Sequence, residues 1–270
     1  MDFSNLYSGS IAPPENIVGG NEVSPPFKYP AMVSLQYPDE IGHTHRCGGI
    51  LYNDRYLITA GHCVTGESDN WKVKVHRHDL YKNEEAEGAK SYNVLQRYLH
   101  PEYESGTHKH DVAIWKIDAP KGNRSNVELD TGNYGKESNE ILTAIGWGLT
   151  SLVEGPSDIL LEVELPVIGY ETCTKNGIMR VEDDKQICAG YPEGGKDTCT
   201  GDSGGPLFKY VDGKMILVGI TSKGFLCAEP GFPGVYSRVS KYAYWFKTAI
   251  ESDLNHDVLE KLKKNWDITP

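Results

Sequence analysis

Long apolar stretches, an excess of basic residues and helical patterns are all scarce in this chain of 270 residues. No run is apolar and long enough to span a bilayer as a helix, which argues against a membrane-spanning protein. The 27 Lys and Arg residues face 38 Asp and Glu residues, and the net charge of −11 argues against binding to nucleic acid or anionic membranes. Helical periodicity is missing before the C-terminal region.

Short apolar or alternating runs recur along the chain, separated by turns rich in Gly, Pro and Asn. This pattern is typical of antiparallel barrels and sandwiches, and we predict an all-β fold. The clearest predicted strands are residues 31–35, 73–75, 141–145, 159–165 and 215–221. The length suffices for one large β domain or two small barrels.

Apolar residues at helical spacing begin at Val239 and predict one amphipathic C-terminal helix. A second helix is predicted over 258–266. The apolar positions of the first helix are Tyr242, Trp245, Phe246 and Ile250.

The segment Gly201-Asp202-Ser203-Gly204-Gly205-Pro206 carries the strongest functional signal. Its glycines permit positive φ and close approach of another chain. Such a loop can present the Ser203 hydroxyl while backbone N–H groups converge on one point, as attack on a carbonyl requires. A simple turn is the alternative for this segment taken alone.

His62 and Asp111 are the candidate partners of this serine. His62 lies in Thr59-Ala60-Gly61-His62-Cys63, directly after an apolar run that predicts a buried strand. Asp111 opens the apolar run Val112-Ala113-Ile114-Trp115, where a buried carboxylate is costly unless it is hydrogen-bonded. It can orient an imidazole; a residue in a turn at the strand end is the alternative.

The other histidines are interpreted as ordinary surface or core residues. The pairs His76/His78 and His108/His110 have no cysteine or carboxylate neighbours at ligand spacing. We therefore predict no metal site from the sequence.

Together, Ile17-Val18-Gly19-Gly20, Thr59 to Cys63, Asp111-Val112-Ala113 and Gly201 to Pro206 resemble the trypsin/chymotrypsin family of serine proteases. The histidine, the aspartate and the serine also follow one another in the family's order. The resemblance extends over roughly residues 17–250.

The resemblance implies two antiparallel six-stranded β-barrels with the active site in the cleft between them, plus the C-terminal helix. A linker between the barrels is expected near 118–135. Residues 1–16 lack the apolar segment of a signal peptide and are interpreted as a pro-segment. Residues 251–270 are then a C-terminal extension, expected to pack on the surface or fray, with partner binding as the alternative.

The resemblance also assigns roles to the site residues. Ser203 is the nucleophile, His62 takes and later returns its proton, and Asp111 orients His62. The backbone N–H groups of Gly201 and Ser203 form the oxyanion hole.

Activation is expected to depend on cleavage between Asn16 and Ile17. The resemblance implies that the new ammonium of Ile17 pairs with Asp202, so that only cleavage creates the charge that organises the loop. Asn16 is not a basic residue, so we predict that a different protease releases Ile17.

The resemblance places Asp197, six residues before Ser203, at the floor of the specificity pocket. A buried anion must be paired, and a substrate Arg or Lys supplies the cation, which implies cleavage after these residues. The resemblance also implies that Gly224 and Gly234 leave the pocket open, and Thr198 can add a hydroxyl.

The segment Ser222-Lys223-Gly224 departs from the family, which has Ser-Trp-Gly there. Ser222 is still expected to help seat Asp111. We expect Lys223 to shift preference in the neighbouring subsites toward acidic or polar substrate residues.

Six cysteines allow fifteen pairings. Disulfides of this kind imply an oxidising compartment, so a secreted, extracellular protein is expected. The pairing implied by the resemblance is Cys47–Cys63, Cys173–Cys188 and Cys199–Cys227.

The sequence also contains a candidate calcium loop and a candidate glycosylation site. Residues 79–87 form an acidic loop where relatives can bind calcium, but Ala89 stands near an expected carboxylate, and a solvated acidic loop is the preferred interpretation. Asn123-Arg124-Ser125 is a candidate glycosylation site.

The resemblance therefore implies a monomeric serine endopeptidase that needs no cofactor and acts on protein or peptide substrates. Protein protease inhibitors are potential partners, whereas nucleic acid and membranes are not expected. The alternative is a homologue that has lost catalysis and serves as a binding or regulatory protein, which only Lys223 favours.

Overall fold

The computed structural model describes residues 16–40, 42–120, 126–150, 155–175, 177, 180–182 and 184–266. Residues 1–15 of the predicted pro-segment and the candidate glycosylation site Asn123 lie outside the described residues.

Strands dominate the described residues. In chain order they are β1 (Asn21–Glu22), β2 (Met32–Asp39), β3 (Gly42–Leu51), β4 (Tyr56–Thr59), β5 (Lys72–Val75), β6 (Lys90–Leu99), β7 (Ala113–Ile117), β8 (Val127–Leu129), β9 (Ile141–Gly146), β10 (Leu161–Ile168), β11 (Gln186–Ala189), β12 (Pro206–Val211), β13 (Lys214–Lys223) and β14 (Gly234–Arg238). The helices are α2 (Glu84–Glu87), α3 (Tyr170–Thr174) and α4 (Val239–Trp266), with 3-10 turns at Gly61–Cys63 and Ser68–Asn70. The short segment α1 (Asn16–Gly19) has non-helical φ and ψ at Ile17 and Val18.

The first barrel closes in the order β2-β3-β4-β7-β6-β5, with every neighbouring pair antiparallel. Strand β7 is buried along its whole length, and its Trp115 lies opposite Leu57 of β4. The apolar run that follows Asp111 is therefore a barrel strand, and this places the aspartate at its mouth.

The second barrel has the ring order β9-β10-β11-β14-β13-β12, and pairing of β12 with β9 closes it. Strand β1 adds to β10, and β8 runs parallel to β13. The prediction of two six-stranded antiparallel barrels is confirmed. The chain passes from one barrel to the other between Ile117 and Ile141.

Strand boundaries differ from the predicted ones where turns intervene. The strand predicted over 159–165 begins at Leu161, because Ile159 forms an isolated bridge with Asp79 instead. The strand predicted over 215–221 runs from Lys214 to Lys223.

Helix α4 is continuous, and the prediction of a separate second helix over 258–266 is wrong. Neither glycine nor proline occurs between Glu251 and Asp257, so nothing in that stretch breaks the helix. Phe246 and Ile250 are buried in the same apolar cluster as Trp115 of the first barrel. None of the helices in the described residues is both long and apolar enough to cross a membrane.

Asp253 fastens the start of the C-terminal extension to the first barrel. Its carboxylate accepts hydrogen bonds from the hydroxyls of Tyr56 and Tyr98 and lies 2.7 Å from Lys116 Nζ. The side chains of Lys116 and Asp253 are only 8% and 10% exposed, so the pair is largely removed from water. The extension is therefore packed on the barrel at this point.

Candidate active site

The three candidate catalytic residues come from both barrels. His62 lies in the 3-10 turn after β4, Asp111 lies two residues before the start of β7, and Ser203 lies in the loop before β12. The first two belong to the first barrel and the third to the second, so the site lies where the barrels meet.

Asp111 is fully buried and holds His62 by two hydrogen bonds. The backbone N–H of His62 donates to Asp111 Oδ1 at 2.7 Å, and Nδ1 lies 2.8 Å from Oδ2. Ser222 Oγ donates to the same Oδ2 at 2.6 Å, as predicted, and Ser237 Oγ donates to the Asp111 carbonyl at 3.0 Å. A carboxylate at Nδ1 favours the tautomer in which Nε2 is free to accept a proton.

Burial alone raises the pKa of a carboxyl group, but at Asp111 the neighbouring groups outweigh burial. The imidazoles of His108 and His62 and the hydroxyl of Ser222 hold its pKa well below the usual range. Asp111 is therefore an anion throughout the physiological pH range.

The loop of Ser203 is fastened by backbone contacts to both barrels. Gly48 N–H donates to the Ser203 carbonyl at 2.8 Å, and Gly204 N–H donates to the Thr221 carbonyl at 2.9 Å. A Cβ on Gly204 would lie 2.1 Å from Thr59 Oγ1, so only glycine fits there. Among the described residues, no group accepts the N–H of Gly201 or Ser203, which leaves both donors available for an oxyanion.

Sequence reasoning missed His45, which lies behind this loop. Its Nε2 lies 2.8 Å from the Gly201 carbonyl oxygen, which can only accept, and its Nδ1 lies 2.8 Å from Ser34 Oγ. Burial lowers the His45 pKa to about 4, so the ring stays neutral and keeps its Nε2 proton for Gly201. His45 belongs to no sequence motif that would signal this role.

The predicted disulfide pairing is present in the structure. Cys47–Cys63 fastens the turn that carries His62, and Cys199–Cys227 joins the Ser203 loop to the opposite wall of the pocket. The third bridge is Cys173–Cys188.

Asp202 is a buried carboxylate without a cation. It accepts hydrogen bonds from Gly148 N–H at 2.8 Å and Cys199 N–H at 2.9 Å. A Cβ on Gly146 would lie 2.0 Å from Asp202 Oδ1, so this glycine makes room for the side chain. Burial raises the Asp202 pKa to about 6, because no positively charged group among the described residues compensates the anion.

Ile17, the proposed partner of Asp202, is also fully buried and joins the apolar cluster of the second barrel. In the continuous chain its nitrogen is an uncharged amide, and the structure shows no ion pair between the two residues. Its φ of 42° is in the left-handed region, which a β-branched residue rarely adopts. The backbone at the candidate cleavage point is therefore strained.

A pocket of about 160 Å³ opens beside Ser203, and Asp197, Thr198, Ser222 and Gly224 contribute to its lining. Asp197 is 2% exposed and accepts from Thr198 N–H at 2.8 Å and from Ala228 N–H at 3.2 Å. Burial raises the Asp197 pKa to about 7, in spite of these hydrogen bonds.

The two glycines predicted to keep the pocket open differ, since Gly224 lines the pocket and Gly234 lies behind Asp197. A Cβ on Gly234 would lie 2.7 Å from Asp197 Oδ1, so a side chain there would displace the carboxylate. A Cβ on Gly224 would meet no atom within 4 Å and would project into open space. The hydroxyl of Thr198 lies 2.9 Å from that of Tyr236 and is already engaged.

Lys223 is half-buried at the edge of the same pocket. Its Nζ donates to the carbonyls of Thr107 and Arg180, each at 2.9 Å, and so joins two loops beside the cleft. Burial lowers the pKa of Lys223, while the negative charges of Asp111 and Glu182 oppose that decrease. Both bonded oxygens are neutral, so Lys223 brings a positive charge to this wall.

The acidic loop over 79–87 surrounds a guanidinium group. Arg77 Nη2 donates to the carbonyls of Asp79 and Lys82 at 2.8 and 2.7 Å, and Nε lies 2.8 Å from Glu87 Oε2. The side chains of Arg77 and Glu87 are 3% and 4% exposed. Calcium binds carbonyl and carboxylate oxygens such as these. Because the Arg77 guanidinium already occupies the oxygens of Asp79, Lys82 and Glu87, the loop does not fit a calcium ion.

A model of the family described as Trypsin matches residues 17–246. The chain is 34% identical over 238 residues to Trypsin-1 of Astacus astacus, with 86% of this chain and 98% of that protein covered. It is 34% identical to Trypsin 5G1 of Aedes aegypti, covering 86% and 84% of the two chains. It is 33% identical to the clotting factor G beta subunit of Tachypleus tridentatus, covering 86% and 78%. Because the family model and these relatives match most of its length, the chain belongs to the trypsin family of serine proteases.

Proposed function

We propose that the chain is a secreted endopeptidase that cleaves after Arg or Lys and is made as an inactive precursor. The observation that carries the specificity is Asp197. Its carboxylate is 2% exposed at the pocket, and no cation among the described residues pairs with it. An Arg or Lys side chain of the substrate supplies that cation, and a bidentate guanidinium fits a carboxylate especially well.

The hydrogen bonds between Asp111 and His62 support an acyl-enzyme mechanism. His62 Nε2 accepts the Ser203 proton as Oγ attacks the substrate carbonyl carbon, and the negative oxygen binds to the N–H groups of Gly201 and Ser203. His62 then donates the proton to the leaving amine as the peptide bond breaks. Water attacks the acyl-enzyme, passes a proton through His62 back to Ser203, and releases the acid.

Activation would follow from cleavage between Asn16 and Ile17. The cut converts the Ile17 amide nitrogen into an ammonium group, the cation that buried Asp202 lacks. Since the proposed pocket accepts Arg and Lys rather than asparagine, an activating protease of different specificity is required.

Two finer features complete the proposal. The three disulfides are in keeping with secretion into an oxidising compartment. The positive charge of Lys223 beside the cleft favours acidic or polar substrate residues in the neighbouring subsites. A noncatalytic role gains no support, because every group of the proposed mechanism is present.

The test is hydrolysis of matched peptide substrates that differ only in having Arg, Lys, Phe or Ala before the cleaved bond. The chain is first cut before Ile17, and its new N-terminus is verified. We expect turnover of the Arg and Lys substrates, with none in the Ser203→Ala variant and a selective loss in Asp197→Ser. Turnover of the Phe substrate alone would contradict the assigned specificity, and no turnover would contradict the assigned activity.

A further inference from the structure

A second imidazole lies beside the catalytic pair. The rings of His62 and His108 have centroids 5.0 Å apart and an interplanar angle of 36°. His108 Nδ1 lies 3.4 Å from Asp111 Oδ2, the oxygen that also holds His62 Nδ1. This nitrogen is buried and is not aligned for a hydrogen bond with any group of the described residues.

These three side chains present the donor set of a zinc site. One donor atom from each of His62, His108 and Asp111 lies within 4.8 Å of the other two. Zinc binds imidazole nitrogen at about 2.0–2.1 Å and carboxylate oxygen at about 2.0–2.2 Å, so tetrahedral ligands are roughly 3.3 Å apart. The observed separations from Asp111 Oδ2, 2.8 Å to His62 and 3.4 Å to His108, are close to that value.

We propose that His62, His108 and Asp111 form an inhibitory zinc site in the cleft. The ion binds Nδ1 of both imidazoles and the Asp111 carboxylate, after a widening of about 0.5 Å between His62 and Asp111. The donor atoms of His108 and Asp111 are buried, but the His62 and His108 side chains are 21% and 31% exposed to the cleft, from which the ion and a fourth ligand, water, would enter.

Inhibition follows from the tautomer of His62. A metal on Nδ1 uses the lone pair there, so the single proton of the neutral ring is transferred from Nδ1 through solvent to Nε2. With that proton on it, Nε2 can no longer accept the proton of Ser203. The ion also takes the carboxylate that orients the ring. One bound ion would therefore remove general-base catalysis without displacing any element of the fold.

A second histidine cluster nearby has no open position for a metal ion. His100, Glu102 and His110 also lie within ligand distance of one another. However, Lys185 Nζ lies 3.3 Å from His110 Nε2, so an ammonium group already occupies the position of a cation. This cluster supplies the matched control.

Zinc binding is measured by calorimetry on the Ser203→Ala chain cut before Ile17, with zinc chloride alone as the titrant. We expect one ion per chain, binding at least about tenfold weaker in the added His108→Gln variant, and unchanged binding in the added His110→Gln variant. The visible spectrum of bound cobalt should be that of a tetrahedral ion, and His108→Gln should lose it. Thermal unfolding checks that each variant is folded. No binding, or equal binding with and without His108, would overturn the site.

Inhibition is measured on the active chain and rests on the proposed peptidase function. Zinc should abolish turnover, a chelator should restore it, and each variant is compared with its own zinc-free rate. The zinc concentration that halves the turnover rate should be at least about tenfold higher for the His108→Gln variant than for the His110→Gln variant. If zinc binds at His108 but the cut chain hydrolyses no substrate, the proposed function is refuted and the zinc site is retained. Activity that zinc leaves unchanged would refute the inhibitory role.

Discussion

Cleavage before Ile17 should stabilise the folded chain in a pH-dependent way. Asp202 is fully buried in the continuous chain, and burial raises its pKa from 3.8 to about 6. That increase corresponds to about 3 kcal/mol of unfolding free energy. Because the folded pKa is raised, the contribution is fully present below about pH 4 and is lost as pH rises through about 6.

The unfolding free energy of the cut chain should not decrease in this way as pH rises. The Ile17 ammonium favours the charged form of Asp202 and lowers its pKa again. The cut chain should therefore exceed the uncut chain in stability by about 3 kcal/mol more near pH 8 than near pH 4. Cleavage should also raise the unfolding free energy by about 1–3 kcal/mol at every pH. It removes the carbonyl carbon that defines the φ of Ile17 and so relieves the backbone strain there.

Urea unfolding of the Ser203→Ala chain measures both terms without autolysis. Cut and uncut forms come from one protein in which the recognition sequence of a specific protease replaces residues 12–16. Asp202→Asn is the control, because it should abolish the pH-dependent difference and keep the pH-independent one. A cut–uncut difference that is the same at low and high pH would refute the role of Asp202.

Three further predictions concern stability and subsites. A calcium chelator should leave the melting temperature unchanged, because Arg77 already binds the loop oxygens; a clear decrease on chelation would contradict this interpretation. Asp253→Asn should lower the unfolding free energy by about 1–3 kcal/mol, since it removes the negative charge that lies 2.7 Å from buried Lys116, and an unchanged urea midpoint would argue against this contact. Lys223→Trp should reduce the preference for acidic subsite residues in a peptide library, and an unaltered profile would rule out a role for its charge.

The sequence predicts best the features that are local in the chain. The Ser203 loop, the strand after Asp111 and the disulfide framework all rest on short motifs in a fixed order. The helix at Val239 was predictable because its apolar residues follow one period. The continuity of this helix to Trp266 was not predictable. The absence of a helix-breaking glycine or proline is a weaker signal than the presence of one.

The missed features depend on contacts between distant parts of the chain. In the sequence His108 is paired only with its near neighbour His110, but the fold places it against His62. Asp253 meets Tyr56 and Tyr98 across more than 150 residues, and no composition or spacing signals that contact. Such pairs become visible only after the barrels close.

Three buried carboxylates of the site differ in the source of the group that compensates their charge. Asp111 obtains its partners from the folded chain itself, and its pKa is low. Asp197 and Asp202 lack a cation, and their pKa values rise to about 7 and about 6. In the proposed function, a basic substrate compensates Asp197 and the ammonium group of a cleaved Ile17 compensates Asp202. The uncut chain without substrate should therefore be destabilised by two uncompensated charges as pH rises toward neutrality.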